Sequence, residues 1–475
     1  MIDDAGSTLT AELSAYHPLW HLKRINWLEG FGASVPEDEP ITTRVFLIDT
    51  GVHVGHPYLS KAIDAQLAID FSALPFGLRY VDGINKPIEF DPEILDHLPL
   101  SANDKATISQ LMQRASGKLC KAPLETALHT AFPSHGTACA GLIGARMPGF
   151  FTDPLPSLTD GKPALAVPYW GVDPLSTIIP VSTSLNPTPG QLILALVYAL
   201  QNQADVIHLP RGISVAWMSD NGEYDNPGLS LKTDQDEAEW EALEALLFAI
   251  SRTVPIVCAA GNSGENSLAY PANLSLEDKG ENGIISVGAL SSAGFRSSYS
   301  NYGPGLTVVA PSDDATVFNR YQIRINELGR RYRLHDYAGY VGAGLPRVDF
   351  SREAILSTDI PGQNGYTGYS PLGYDEDDDT FAHANDPLQG AFTLFGGTSA
   401  ASSIVAGVVA LMTRRAKMKG QILSGPQLKQ ILRATARGTP ADTKADDING
   451  DKASLELLFG SGLVDAGKAV GKIGA

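Results

Sequence analysis

Residues 44–49 read RVFLID, an apolar run that ends in an aspartate and is followed at once by Thr50 and Gly51. Similar runs recur along the chain: STIIPVS at 176–182, DVIHL at 205–209, VPIVCAAG at 254–261, GIISVGA at 283–289 and LTVVAP at 306–311. Continuous apolar runs of this length are typical of strands buried on both faces of a parallel sheet. The sequence therefore predicts a sheet of buried parallel strands.

Helix-length segments separate these runs. Residues 189–203 and 236–252 carry apolar side chains at helical spacing. Strands that alternate with such helices predict an α/β fold, with one doubly wound, mostly parallel sheet and helices on both faces. No internal repeat is visible, and no linker divides the chain into halves with separate cores.

Three stretches interrupt the alternation, at about 65–130, 312–353 and 363–390. We interpret them as surface insertions rather than domains, because the entropy of closing a loop grows only slowly with its length. The first contains a predicted helix at 102–116. The domain organisation expected from the sequence is an N-terminal extension at 1–18 and one large domain at 19–475 with these insertions.

Composition narrows the classes of partner. The 475 residues include 35 Lys and Arg against 53 Asp and Glu, for a net charge of −18, which argues against nucleic acid or an anionic membrane as the main partner. The longest apolar runs, 192–200 and 404–412, are shorter than the roughly 20 residues that span a bilayer.

Cysteine content and the first residues bear on location. The chain has three cysteines, Cys120, Cys139 and Cys258. A small and odd number of cysteines does not fit a disulfide framework, so the sequence favours a reducing compartment. The segment MIDDAGSTLT carries acids where a secretory signal carries cations. The prediction is a cytoplasmic protein.

Two candidate catalytic side chains come from the first half of the chain. Asp49 ends the first strand, at the carboxyl edge where open α/β sheets bind ligands; a structural turn is the alternative interpretation. His135 stands near the start of the small-residue stretch SHGTACAG at 134–141. A structural histidine is the alternative there, so His135 gains weight only from its companions.

Two more candidates lie in glycine-rich turns. Asn262 follows the run VPIVCAAG, where its amide can donate a hydrogen bond to a developing oxyanion; an ordinary turn is the alternative. Ser399 follows Gly396, Gly397 and Thr398 and precedes a long run of small and apolar residues. A serine at a helix N-terminus is favourable for nearby negative charge, although it is also a common helix cap.

Taken together, the four elements and the segments around them resemble the subtilisin-like (subtilase) serine proteases, in which the triad follows the chain order Asp, His, Ser. The matching blocks are 49–52 with 56–59, 135–137, and 397–399 with 401–402 and 405–407. Connecting segments match as well, at 171–174, 270–271, 287–289, 299–304, 310–311 and 460–464. The resemblance runs from about residue 20 to the C-terminus, so 19–475 is expected to be a subtilisin-like peptidase domain.

The resemblance implies a serine endopeptidase that acts on protein or peptide substrates through an acyl-enzyme. Ser399 corresponds to the nucleophile, His135 to the general base and acid, and Asp49 to the group that orients the imidazole. Asn262 and the N–H of Ser399 correspond to the oxyanion hole. This chemistry requires no cofactor.

The substrate-binding residues implied by the resemblance depart from the family pattern of Asn, apolar, Ser, apolar and Gly. The corresponding stretch is His208, Leu209, Pro210, Arg211 and Gly212. Proline removes a backbone donor, and we expect Arg211 to place a charge at the apolar wall of a subsite. The S1 pocket is expected to be walled by Ala259, Ala260 and Gly261 and closed near Ala269.

Calcium commonly stabilises this family, and 446–451 is the candidate for such a structural site. Oxygen-bearing side chains alternate at Asp447, Asn449 and Asp451, but Lys452 stands where an EF-hand loop has glycine, and no glutamate lies at the twelfth position. The acidic run 375–379 is interpreted as a solvated loop that gives the cleft a negative potential and favours basic peptides. Metal ligands are not assigned.

Three questions stay open at the level of sequence. Residues 1–16 either lie across the cleft as an inhibitory extension or form a frayed terminus. A peptide macrocyclase that transfers the acyl group to an amine, and a catalytically silent scaffold, are the alternatives to a hydrolase. The physiological substrate, any regulatory partner and the oligomeric state are not specified by the residues.

Overall fold

The computed structural model describes thirteen stretches of the chain: 19–36, 41–71, 88–117, 133–147, 169–184, 186–213, 234–292, 294–313, 323–325, 331–333, 355–361, 391–438 and 455–474. Within them a seven-stranded sheet forms the centre of the fold, with strand order β2-β3-β1-β4-β5-β6-β7. Its strands are β1 (Arg44–Asp49), β2 (Ile69–Asp70), β3 (Thr177–Ser182), β4 (Val206–Leu209), β5 (Ile256–Ala259), β6 (Ile284–Leu290) and β7 (Val308–Pro311).

All neighbouring strands of this sheet run parallel. Six of the seven coincide with the apolar runs of the sequence, so the predicted doubly wound parallel sheet is confirmed. Their side chains are buried almost throughout, as expected for strands that are covered on both faces.

Strand β1 lies at the point where the direction of winding reverses. It pairs with β3 on one side, in a register that sets Asp49 against Ser182, and with β4 on the other. In open α/β sheets this reversal leaves a crevice at the carboxyl ends of the strands, where ligands bind. The fold therefore puts Asp49 at the sheet's natural binding edge.

The helices are α1 (Trp20–Arg24), α2 (Trp27–Ser34), α3 (Ala102–Ala115), α4 (Pro133–Gly144), α5 (Pro189–Gln201), α6 (Asp234–Ser251), α7 (Gly397–Met418), α8 (Gly425–Thr435), α9 (Leu455–Phe459) and α10 (Ala466–Gly471). Short 3-10 helices span Pro92–Leu95, Ala272–Ser275 and Glu277–Lys279. Two small antiparallel pairs are β8 (Ile323–Ile325) with β9 (Arg331–Arg333), and β10 (Ile355–Thr358) with β11 (Phe392–Phe395). None of the helices in the described stretches combines the length and apolarity needed to cross a bilayer.

Helices cover both faces of the sheet. The central helix α7 packs against β1 and against β4 to β7, and α4 packs beside it. Helices α5 and α6 pack on each other and on α3, and Tyr198 of α5 meets Phe46 of β1 edge-on, with ring centroids 6.3 Å apart. Alanine, glycine and serine fill α7, and these small side chains let the helix lie close to the strands.

Capping residues explain where several helices begin. Ser101 and Asp104 form a reciprocal capping box at the start of α3, and Thr188 and Gln191 form another at α5, where Pro189 occupies the first turn. Each box satisfies backbone N–H groups that have no partner inside the helix. These local signals agree with the predicted helices at 102–116 and 189–203.

The stretch 65–130 contributes to the body of the domain where it is described. It supplies the edge strand β2 and helix α3, which packs on α5 and α6. Of the other two predicted insertions, 312–353 is described only at 312–313, 323–325 and 331–333, and 363–390 lies outside the described residues, as does 1–18. The predicted domain boundaries stay predictions.

Candidate active site

Asp49 is held rigidly at the end of β1. Its backbone carbonyl accepts a hydrogen bond from the N–H of Thr183 at 2.7 Å, and its Oδ1 accepts from the N–H of Thr50 at 2.6 Å. Only 1% of the side chain is exposed. Burial by itself disfavours the carboxylate, but His135, Arg211 and the Thr50 N–H outweigh it and lower the pKa of Asp49 to about 2. The group is therefore ionised at neutral pH.

His135 lies in the first turn of α4 and bridges two candidate residues. Its Nδ1 is 2.7 Å from Oδ2 of Asp49, and its Nε2 is 3.0 Å from Oγ of Ser399. Because an ionised carboxylate only accepts, Nδ1 carries the proton and the lone pair of Nε2 faces the serine hydroxyl. This is the tautomer that a general base requires.

Gly136 allows helix α4 to come this close to β1. A Cβ at this position would overlap the carbonyl oxygen of Gly51 and lie 3.4 Å from Cβ of Asp49. Any larger residue would push the helix, and the imidazole with it, away from the carboxylate. This lack of space explains why a glycine follows His135 in the sequence.

Ser399 is the third residue of α7 and is 6% exposed. Its hydroxyl has two acceptors, Nε2 of His135 at 3.0 Å and the carbonyl oxygen of Pro210 at 2.8 Å. One proton serves only one acceptor at a time, so both bonds compete for it. The N–H of Ser399 has no acceptor within the helix because it belongs to the first turn.

Asn262 lies beside the turn that leads into α7. Its Oδ1 accepts hydrogen bonds from the N–H and the hydroxyl of Thr398, each at 2.9 Å. These two donors fix the direction of the amide and leave Nδ2 as the donor for another group. Gly397 has φ +77, and a Cβ there would come within 3.2 Å of that Nδ2, so glycine suits the position in both respects.

The loop that carries Asn262 is held by Asn301. The N–H of Asn301 donates to the carbonyl of Gly261 at 3.0 Å, and its Oδ1 accepts from the N–H of Ser263 at 2.8 Å. The side chain of Asn262 therefore projects from a braced turn, which is the arrangement that a preorganised donor needs.

The expected substrate-binding residues converge beside the nucleophile. Leu209 ends β4 and Ala259 ends β5, and the N–H of Ala269 donates to the carbonyl of Ala260 at 2.8 Å. A Cβ built on Gly212 or Gly261 would come within 2.9 or 3.0 Å of Cβ of Ala269. The segments that carry Gly212, Gly261 and Ala269 are therefore in close contact.

The side chain of Arg211 does not point to a subsite wall, as the sequence suggested, but towards the carboxylate of Asp49. Its Nε is 3.4 Å from Oδ1 of Asp49, its guanidinium donates to the carbonyl of Ser184 at 2.9 Å and to the hydroxyl of Thr183, and 11% of the side chain is exposed. The guanidinium is thus directed into the protein rather than into a substrate subsite. The physical reason is the buried carboxylate, which a forked cationic donor stabilises.

Cys139 is a neighbour of the site that sequence reasoning did not single out. Its Sγ lies 3.9 Å from Nδ1 of His135, one helical turn away, and the residue is fully buried. Burial, and next the charge of Asp49, raise the pKa of the thiol well above its usual value, so it stays neutral. The four-residue spacing in α4 was the available signal.

Asp49, His135 and Cys139 are also the only group of metal-ligand type found among the described residues. One carboxylate, one imidazole and one neutral thiol do not fit calcium, which takes six to eight oxygen ligands. The calcium candidate at 446–451 and the acidic run 375–379 lie outside the described residues. Structural calcium therefore stays a prediction.

His208 lies beneath the nucleophile, where the family pattern has asparagine. Its Nδ1 is 3.1 Å from the carbonyl of Val257, and its Nε2 is 3.1 Å from the hydroxyl of Ser403, which in turn lies 2.8 Å from the carbonyl of Ser399. A carbonyl only accepts, so Nδ1 carries the proton of the neutral ring. The Ser403 hydroxyl has one proton, for which the carbonyl of Ser399 and Nε2 of His208 compete.

We expect His208 to make the fold sensitive to acid. Burial lowers its pKa to about 4, whereas in the unfolded chain it takes up a proton near pH 6.5. The unfolded state therefore binds more protons in this range, and the free energy of unfolding falls as the pH drops from 6.5 towards 4, by roughly 3 kcal/mol for this group. His56, whose pKa burial lowers to about 3, acts in the same direction.

Urea unfolding at pH 7 and at pH 5 measures this effect. The variant His208→Asn should lose less stability between the two pH values than the original protein does. His97, an exposed histidine, supplies the matched control, and His97→Asn should leave the pH dependence unchanged. An equal loss in His208→Asn and in the original protein would show that the buried ring does not cause it.

A buried aspartate, a bridging histidine and a helix-terminal serine at the carboxyl edge of an α/β sheet are the arrangement of a serine peptidase. The chain belongs to the subtilase family of serine endopeptidases, because the model described as "Subtilase family" matches residues 42–462. The family predicted from the sequence is confirmed.

Relatives and solved structures agree with this family. The alkaline protease of Shouchella clausii is 24% identical over 293 residues, which is 58% of this chain and 70% of that protein. A structure titled as proteases from Pseudoalteromonas arctica covers 96% of both chains at 19% identity, with a TM-score of 0.51. The epidermin leader peptide processing serine protease of Staphylococcus aureus, at 16% identity, covers 96% of this chain and 81% of its own, with a TM-score of 0.54. At such identities the two structures show the fold alone.

Proposed function

We propose that this subtilase hydrolyses peptide bonds through a triad of Ser399, His135 and Asp49 and through an acyl-enzyme intermediate. The observation that carries the proposal is the position of His135, with Nδ1 2.7 Å from Asp49 and Nε2 3.0 Å from Ser399. Both distances are those of hydrogen bonds. The bond between Nε2 and the serine hydroxyl can pass the proton in either direction, and the bond to Asp49 orients the ring.

In the proposed first step, Oγ of Ser399 bonds to the carbonyl carbon of the substrate and its proton moves to Nε2 of His135. The tetrahedral intermediate collapses when the leaving amine takes that proton and the peptide bond breaks. Water then attacks the acyl-enzyme, gives a proton to the same nitrogen and releases the new carboxylate, while the proton returns to Ser399. Asp49 keeps its charge throughout and stabilises the imidazolium.

The oxyanion of each tetrahedral intermediate is proposed to bind Nδ2 of Asn262 and the N–H of Ser399. Support comes from the fixed orientation of the amide, since Oδ1 is occupied by two donors from Thr398. A donor that is already oriented needs no reorganisation when charge develops, and this is the condition for a large contribution to rate.

We propose further that the enzyme processes a restricted set of proteins or peptides. Pro210 lacks the N–H with which that edge would bind an extended substrate strand, so one backbone contact is missing. The net charge of −18 favours encounters with basic peptides over acidic ones. A third observation in favour of restricted specificity is the presence of long segments between the strands and helices, because such segments often carry specificity.

A cytoplasmic location is also proposed, without a nucleic acid or membrane partner. It is supported by Cys139 and Cys258, which are free and buried among the described residues, and by the charge of the chain.

The test is turnover of a peptide library in water enriched in ¹⁸O, followed by mass spectrometry. Hydrolysis predicts two linear fragments, with one heavy oxygen in the newly formed carboxylate. Cyclised products without heavy oxygen would instead identify a macrocyclase. If the original protein formed the same products as Ser399→Ala, it would be a catalytically silent scaffold. Either result would overturn the proposal.

A further inference from the structure

Arg211 makes an unusual contact for a residue at the edge of a substrate cleft. Its side chain is 11% exposed and reaches the carboxylate of Asp49, of which 1% is exposed, with Nε 3.4 Å from Oδ1. The catalytic mechanism proposed above does not use this cation. Burial of this cation is costly unless its charge is compensated, and the carboxylate of Asp49 supplies the compensating charge.

The two oxygens of Asp49 have different partners. Oδ2 faces Nδ1 of His135 at 2.7 Å, whereas Oδ1 faces the N–H of Thr50 at 2.6 Å and the guanidinium of Arg211. With Oδ1 held from two directions, the carboxylate has little freedom to rotate, and Oδ2 stays directed at the imidazole. Arg211 thus acts on the imidazole through the carboxylate.

The same guanidinium joins the ends of two strands. It donates to the hydroxyl of Thr183 and to the carbonyl of Ser184, which directly follow β3, while Arg211 itself follows β4. Strand β1, which ends in Asp49, lies between these two strands. One side chain therefore fixes the three strand ends that surround the catalytic carboxylate.

The charge of Arg211 opposes the formation of a second cation nearby. When His135 accepts a proton, the imidazolium is attracted by Asp49 and repelled by the guanidinium on the other side of the same carboxylate. Two other titratable groups near the ring are uncharged at neutral pH: the Cys139 thiol, and the His208 imidazole, whose pKa burial lowers to about 4. Arg211 is the cation that counteracts Asp49.

We infer that Arg211 is a positioning residue of the active site, which orients Asp49 towards His135 and offsets part of its charge. The inference rests on the proposed function. It predicts that the charge of Arg211 extends the pH range of activity towards acid.

The variants Arg211→Leu and Arg211→Lys test the inference. Leucine supplies an apolar residue, as the family pattern has at this position, and lysine keeps the charge. For Arg211→Leu, the acid limb of the kcat/KM profile should move to higher pH, because the cation that opposes a second positive charge in the site is removed. Lysine should restore most of that shift, and KM should change little in either variant.

A second arm needs no turnover. The proton between His135 and Asp49 gives a low-field resonance in the ¹H NMR spectrum, and Arg211→Leu should shift or broaden it whereas Arg211→Lys should not. Arg252, an exposed arginine, supplies the control, because Arg252→Leu removes the same charge away from the site and should leave both readouts unchanged. Circular dichroism verifies that each variant is folded.

Each outcome decides the inference. A raised KM with an unmoved pH profile in Arg211→Leu would make Arg211 a substrate contact, and an unmoved profile with an unmoved resonance would make it a structural ion pair. Either would overturn the inference while the original enzyme stays active. An inactive original protein would instead refute the proposed function, and the resonance would still report whether Arg211 acts on the pair of Asp49 and His135.

Discussion

Replacement of Ser399 by alanine is expected to lower kcat by about 10⁶, the loss known for the corresponding single replacement in subtilisin. The reason is that, in the described part of the chain, Ser399 supplies the hydroxyl that contacts the general base. Oγ of Ser399 is the atom at 3.0 Å from Nε2 of His135, and the neighbouring Cys139 thiol is buried and neutral. The measurement is kcat on a cleaved member of the peptide library.

Ser402 supplies a matched control for this variant. It belongs to the same helix, is fully buried, and donates its hydroxyl to the carbonyl of Ser399 at 3.1 Å. We expect Ser402→Ala to stay within about tenfold of the original kcat, because the loss of one such hydrogen bond costs only about 1 kcal/mol. If Ser399→Ala also stayed within tenfold, the assignment of the nucleophile would be incorrect.

Replacement of Asn262 by alanine has the second largest expected effect, a loss of roughly 10²–10³ in kcat with little change in KM. This range is also taken from subtilisin, where an oxyanion-hole asparagine was removed. The expected split between kcat and KM follows from the chemistry, since Nδ2 binds a charge that exists only after Ser399 has attacked. A ground-state peptide carbonyl presents little charge to it.

The loop around Asn262 allows a control for structural damage. Asn262→Ala also removes the acceptor for the N–H and hydroxyl of Thr398, so part of the loss could come from a displaced turn. The neighbouring Ser263→Ala, at an exposed position of the same loop, should leave kcat unchanged. A raised KM with an unchanged kcat in Asn262→Ala would make the amide a ground-state contact.

The sheet was largely predictable because its strands are buried on both faces. Such strands have continuous apolar runs, and the runs at 44–49 and 283–289 correspond closely to β1 and β6. The edge strand β2 was not predicted. It contains only Ile69 and Asp70, and two residues carry no periodic signal.

The site was predictable at the level of residues rather than of side-chain directions. Asp49, His135, Asn262 and Ser399 are recognisable from the motifs around them, and the structure brings them together. The direction of Arg211 was not predictable from its place in the motif, because it depends on a carboxylate more than 160 residues earlier in the chain. For Pro210, the missing N–H is evident from the sequence. The hydrogen bond that its carbonyl accepts from Ser399 depends on the tertiary structure and was not predictable.

Ser399, His135 and Asp49 are proposed to form an assembled nucleophilic site. Labelling with a fluorophosphonate, followed by peptide mapping, tests it most directly, because the probe reacts with an activated serine and requires no knowledge of the substrate. We expect one covalent adduct, located on Ser399. Its rate of formation should follow the acid limb of the kcat/KM profile and fall to background in His135→Ala. Absence of labelling in the folded protein, or an adduct on another residue, would contradict it.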